Sequence, residues 1–229
     1  WHHNFDYKTF GVNEFSILTI SAVWAKGITN YFLKAAELHN HICPGLTSGY
    51  FLARYLEEKF PLEKGDKWVI WAVPPWCKDD AFQQIFDSTV GKRGMAVMYI
   101  PKDVSQKLDP KYQNIAGIFI KFSEKTGEAK AIVLGWDWGK TCVDCGISMK
   151  DFRGFDSHKW WWARLRSDVL LMGHEPEEYI SELMIKDLGN QGSVKKMNAK
   201  WMAVGINPLV ELGIMSGPYP KQQQKEVIQ

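Results

Sequence analysis

Apolar positions in the first sixty residues recur at helical rather than strand spacing. Over residues 13–27, Phe15, Leu18, Ala22 and Ala25 fall near one face of a helix that Gly27 closes. A second helix is predicted over residues 29–38, capped by Thr29 or Asn30, with Leu33, Ala35 and Ala36 inward. A third opens at Pro44-Gly45 and places Leu46, Tyr50, Ala53, Leu56 and Phe60 on one stripe, with Pro44 in its first turn. After Phe60 the period changes. Residues 67–73 read as a strand ended by Pro74-Pro75, and residues 95–100 as a second. Between them, residues 79–86 form a short helix with Phe82, Ile85 and Phe86 inward. Residues 115–122 and 129–134 predict a hairpin, because residues 123–127 supply turn chemistry. Beyond Gly135 the pattern gives loops, a helix over residues 157–172 and another from Pro176 to its stop at Gly189.

These elements predict an α+β fold, with a mixed or antiparallel sheet of about four or more strands flanked by helices. A core over residues 1–135 is followed by a loop and helical extension over 136–229 that carries a CxxC pair. Repeats, heptad seams, phosphate-binding glycine loops and nucleophile elbows are not found. Gly91-Lys92-Arg93-Gly94 reads as a connector turn rather than an anion site, and residues 222–229 as a polar tail.

At 229 residues and 45% hydrophobic content the chain builds a core without a disulfide framework. A formal charge of +2 argues against a nucleic-acid surface, and no apolar run reaches the roughly 20 residues of a membrane span. Because the chain begins at Trp1, a targeting segment can precede it, and cytoplasmic and extracytoplasmic placement both stay open. Eleven tryptophans are unusual. The run Trp160-Trp161-Trp162 points around a helix in several directions, which suits packing on a second element or on a partner, and a homo-oligomer is expected.

The chemistry concentrates in His39-Asn40-His41-Ile42-Cys43-Pro44-Gly45. His39, His41 and Cys43 alternate, so in an extended segment they project to one side as a chelating loop requires. Imidazole and thiolate suit zinc and other borderline metals, not calcium or magnesium. A plainer reading makes the histidines helix caps and Cys43 a buried small apolar residue. Cys77, at the start of the short helix with Asp79 and Asp80, shifts the balance, since Cys77 and Asp80 can complete a four-ligand shell with His41 and Cys43. Asp79 or Asp80 can also simply cap that helix. His158 and His174 lie near helix boundaries and read as caps or surface residues, while His2 and His3 specify no site.

The segment His39 to Leu46, followed by Gly49-Tyr50, resembles the signature of the FmdE family, named for formylmethanofuran dehydrogenase. Cys77-Lys78-Asp79-Asp80-Ala81-Phe82-Gln83 and then Ser88-Thr89-Val90-Gly91-Lys92 match its second block, so the resemblance covers roughly residues 30–125. The resemblance implies an α+β core of archaeal or anaerobe-like type, with a metal, usually zinc, in a cleft. His41, Cys43 and Cys77 are the implied ligands, and His39 and Asp80 further ligands or supports. Members often continue into a four-cysteine zinc ribbon, whereas this chain offers only Cys142-x-x-Cys145, which closes no tetrahedral site alone. The family commonly has a cysteine where Ser88 stands. Four cysteines cannot house the molybdenum or tungsten pterin and iron-sulfur apparatus of the dehydrogenase reaction.

Three functions follow as expectations. One is a zinc protein with a pocket for a small-molecule or metallated ligand and an open coordination position, in which Asp79, Asp80 or His39 takes a proton. Another is a non-enzymatic carrier or receptor for a metal or a metallated cofactor such as a tetrapyrrole. The third is an assembly component docking through its tryptophan-rich helix.

Overall fold

The computed structural model describes residues 13–150 and 158–216. Five strands form one mixed sheet in the order β2-β1-β3-β4-β5. They are β1 Asp66–Ala72, β2 Met95–Val97, β3 Ile115–Ser123, β4 Glu128–Trp136 and β5 Ile180–Asn190. Only β1 and β2 run parallel. The α+β expectation holds, and the hairpin of β3 and β4 sits where the turn residues place it.

Both faces of the sheet are covered. In β1, Trp68, Ile70 and Ala72 enter one core while Val69 and Trp71, followed by Val73, enter the other. Burial on both faces is why this strand reads as a continuous apolar run rather than an alternating one. The first face carries α1 Glu14–Trp24, α2 Asn30–His39, α3 Pro44–Lys59 and α4 Lys78–Ile85. The second is covered by α5 Lys102–Ser105 and, further along the chain, by residues of α8 Val194–Trp201 and α9 Pro208–Glu211. Between them in sequence, α6 Trp138–Asp144 and α7 His158–Leu171 return to the first face, where Cys145 and Leu171 are buried. Among the described residues no helix is long and apolar enough to cross a membrane.

Three local expectations need correction. The helix expected over residues 176–189 is a 3-10 turn, Pro176–Glu178, followed by strand β5. Its Glu, Leu, Met and Lys content favours a helix, but pairing with β4 from Trp136↔Ile180 to Glu128↔Asn190 satisfies backbone groups that β4 would otherwise leave open. In α1 the buried positions are Thr19 and Val23, whereas Leu18 and Ala25 face outward, because α1 turns its polar Thr19 toward the α2-α3 junction. Strand β2 stops at Val97, short of the expected Ile100. The side chains of His158 and of Trp160 to Trp162, together with His2, His3 and residues 222–229, lie outside the described residues.

Candidate metal centre

The His/Cys segment is built by a helix end, a left-handed turn and a helix start. Thr29 caps α2 by accepting the Phe32 N–H, and His39 is the last helical residue. Asn40 then adopts φ 63°, a left-handed conformation that asparagine tolerates better than most residues. The expected extended alternation is therefore absent at this point. The turn at Asn40 brings His39 and His41 together instead, with ring centroids 4.3 Å apart. Cys43 is extended, φ −145°, as the residue before Pro44 must be, and Pro44 opens α3. Thr19 of α1 pins the turn: its Oγ1 accepts the buried Ile42 N–H at 2.9 Å and donates to the Phe15 carbonyl.

The distant half of the site arrives because α3 carries glycine at two facing positions. A Cβ at Gly45 would lie 2.9 Å from Cys77 Cβ, and one at Gly49 would lie 2.3 Å from the Lys78 carbonyl oxygen. With glycine at both, α3 and the Cys77–Ala81 turn approach in a way no side chain permits. Cys77 is thereby set against Cys43 and His39, near enough for both to fix its charge state.

One ligand-type atom from each of His39, His41 and Cys43 lies within 4.8 Å of the others. His39 Nδ1 stands 2.6 Å from Asp80 Oδ2. A carboxylate only accepts, so Nδ1 carries a proton, and once the ring is neutral Nε2 is the nitrogen with the lone pair. That Nε2 is 3.7 Å from Cys43 Sγ. Sulfur at about 2.3 Å and nitrogen at about 2.0–2.1 Å on one tetrahedral zinc would stand roughly 3.6 Å apart. The spacing of His39 and Cys43 is thus one that two ligands of a shared metal ion could have, and His41 is the third member of the group.

Electrostatics divide the four groups without a cation. Burial disfavours charge on His39, but hydrogen bonds to Asp80 and Cys77 outweigh it and raise its pKa to about 9. Burial, and then the neighbouring charge of His39, lower His41 to about 4, so it stays neutral. The Cys43 hydrogen bond, against burial, and then His39 lower Cys77 to about 4, while Cys43 is pushed up by the Cys77 hydrogen bond and by burial. The metal-free site is thus a Cys77 thiolate beside a His39 imidazolium, with the remaining proton on Cys43.

Asp79 faces elsewhere. Its Oδ2 accepts the Trp76 N–H at 2.7 Å and its Oδ1 pairs with the buried Lys78 ammonium, also at 2.7 Å, bracing the turn that presents Cys77. Lys78 donates in addition to the Pro74 carbonyl at 2.8 Å. Ser88, where the family commonly has cysteine, is buried with its hydroxyl donating to the Trp68 carbonyl. Cys142 and Cys145 are buried at α6, and Cys142 Sγ lies 3.2 Å from Met149 Sδ. His174 belongs to a second group with Asp144 and Glu178, where Lys140 Nζ already pairs with both carboxylates. Two features escaped the sequence reading. Trp76, 39% exposed, stacks on Trp138 with centroids 5.1 Å apart beside Cys77. Asp168 of α7 is fully buried. The first had a signal in Trp76-Cys77; the second had none.

No curated protein matches the chain. Residues 38–141 match the family model described as FmdE, Molybdenum formylmethanofuran dehydrogenase operon. That stretch holds His39, His41, Cys43, Cys77 and Asp80 together, and it belongs to the FmdE family.

Proposed function

We propose that this is a zinc-binding protein in which His39 Nε2, His41, Cys43 and Cys77 hold the ion beside a pocket for a small-molecule ligand or substrate. The observation that carries the reading is the orientation of His39, with Asp80 on Nδ1 at 2.6 Å and Cys43 Sγ 3.7 Å from Nε2. A carboxylate on the far nitrogen fixes the tautomer and raises ligand basicity, as supports of metal-bound histidines do. When bound, zinc supplies Lewis-acid polarisation of a group in an open position. The chain's own part is to hold the donors, to keep His41 neutral and to carry a proton at His39 Nδ1. In this reading Asp80 is a positioning residue, and a catalytic use of it runs through that shared proton. Asp79 acts on the turn through Lys78 and Trp76.

A carrier role for a planar metallated ligand such as a tetrapyrrole is the second reading, favoured by the exposed Trp76 stacked on Trp138 at the edge of the site. A homo-oligomer is proposed on the outward faces of α1 and α2, where Trp24, Tyr31 and Leu38 are exposed.

Metal content of the purified wild type, Cys43→Ser and Cys77→Ser tests the zinc reading. Near-stoichiometric zinc in the wild type and its loss in both variants is expected. Full metal content in both variants would refute this site.

A further inference from the structure

The covering of the second sheet face carries a charge pattern that the metal centre does not use. Asn198 of α8 donates from Nδ2 to the Arg93 carbonyl at 2.8 Å, which fixes the Thr89 to Gly94 turn against that helix. Backbone bonds from the Arg93 N–H to the Val90 carbonyl and from the Gly94 N–H to the Thr89 carbonyl, each 3.0 Å, close the turn. In α8, Met197 and Trp201 are buried in the second core, so Lys195, Lys196 and Lys200 stand on its outer side, exposed. Lys92 and Arg93 of the adjoining turn are exposed as well. Neither residues 88–94 nor residues 191–210 contain an Asp or Glu. Among the described residues, Lys92 alone of these five cations is in an ion pair, with Asp87.

Five positive charges here exceed the chain's formal total of +2, which leaves a net −3 over all other residues. The molecule is therefore polarised, and the field of an anionic surface turns this side toward it. Two aliphatic side chains stand among the cations. Val90, 58% exposed, precedes Lys92 and Arg93 in the turn, and Val204, wholly exposed, follows Lys200 past the end of α8. The phosphates of a nucleic acid give an aliphatic group nothing, and these residues offer no exposed aromatic ring on which a base stacks. The interfacial zone of a bilayer takes lysines and aliphatic groups together.

We propose that the Val90 to Arg93 turn and the outer side of α8 dock peripherally on an anionic lipid bilayer, with the five cations on headgroup phosphates and Val90 and Val204 set into the interface. The proposal is independent of the zinc reading, whose donors lie on the first face of the sheet.

The test is co-sedimentation of the full chain with vesicles of phosphatidylcholine alone and of equal parts phosphatidylcholine and phosphatidylserine, at low and at high salt. Binding to the mixed vesicles only, released by salt, is expected. Lys195→Gln, Lys196→Gln and Lys200→Gln together should lower the partition coefficient about ten-fold or more. A charge-matched control, Lys26→Gln, Lys34→Gln and Lys64→Gln, should lower it less than about three-fold. Val90→Ser with Val204→Ser should lower it about five-fold or more at low salt. All eight substituted side chains are exposed, so the fold is kept. Wild type that ignores the mixed vesicles overturns the proposal, as does an α8 triple whose loss is smaller than stated or matched by the control. Valine variants that bind like wild type overturn it too, since the surface then answers to any polyanion, a nucleic acid or an acidic protein included.

Discussion

Replacing Gly49 by alanine sets two opposed effects against each other in one experiment. In a helix interior, alanine is favoured over glycine by about 0.8–1.0 kcal/mol. At position 49, however, the new Cβ would meet the Lys78 carbonyl oxygen at 2.3 Å, the Lys78 Cα at 2.7 Å and the Ala81 Cβ at 2.9 Å. Two of these obstacles are backbone, so no rotamer change relieves them. Restoring ordinary contact means separating α3 from the Cys77–Ala81 turn by roughly 1 Å. Overpacking of a close-packed interior costs about 1–3 kcal/mol, and a backbone obstacle belongs at the upper end. Setting about 3 kcal/mol of strain against about 1 kcal/mol of helix propensity leaves a net loss near 2 kcal/mol. For a chain of this size that is a fall of about 4–8 °C in melting temperature. The same separation draws Cys77 away from Cys43, so the added stability that zinc confers should shrink too. Thermal melts of wild type and Gly49→Ala, in excess chelator and in excess zinc, read both effects. A variant as stable as wild type, or more so, would show that the close approach of α3 and α4 is not a constraint and would refute the reasoning.

Thr19→Val removes the acceptor of the buried Ile42 N–H at nearly constant shape. Denaturant unfolding should show a loss of about 1–3 kcal/mol, and an unchanged midpoint would mean that Thr19 does not pin the turn. Asp80→Asn takes the carboxylate from His39 Nδ1 and should weaken zinc binding about 10–100-fold while the stoichiometry in metal analysis stays at the wild-type value. Equal affinity in chelator competition would remove Asp80 from the site. Asp66 gives a pH signature away from the metal. Burial works to raise its carboxyl, but the Glu63 N–H at 3.1 Å and the Lys121 ammonium at 3.3 Å outweigh it, so its pKa lies below the usual value. A depressed carboxylate stabilises the fold above its unfolded pKa of about 3.9, and that contribution is lost as pH falls through the lower folded value. The stability gap between wild type and Asp66→Asn should be constant near neutrality and close in acid below about pH 4. A gap that persists at low pH would contradict the pairing.

Local chemistry alone determined much of this protein. The helical period of residues 44–56, the turn between β3 and β4, the proline that starts α3 and the donor types in His39, His41 and Cys43 each need only neighbours in the chain. The pairing of that segment with Cys77 and Asp80 was also legible, because the two blocks share one family pattern. Tertiary structure decided the rest. Residues 180–190 are a strand because β4 offers an edge, a fact no local propensity holds. The Nδ1 of His39 is engaged, and its Nε2 left facing Cys43, because Asp80, forty-one positions away, lies against it. Gly45 and Gly49 matter because of what lies across from them, and Asp168 is buried because α7 folds back against α1 and α3. Spacing reports which side chains can share a face of one element, whereas the charge state and partner of a buried group depend on which other elements close around it.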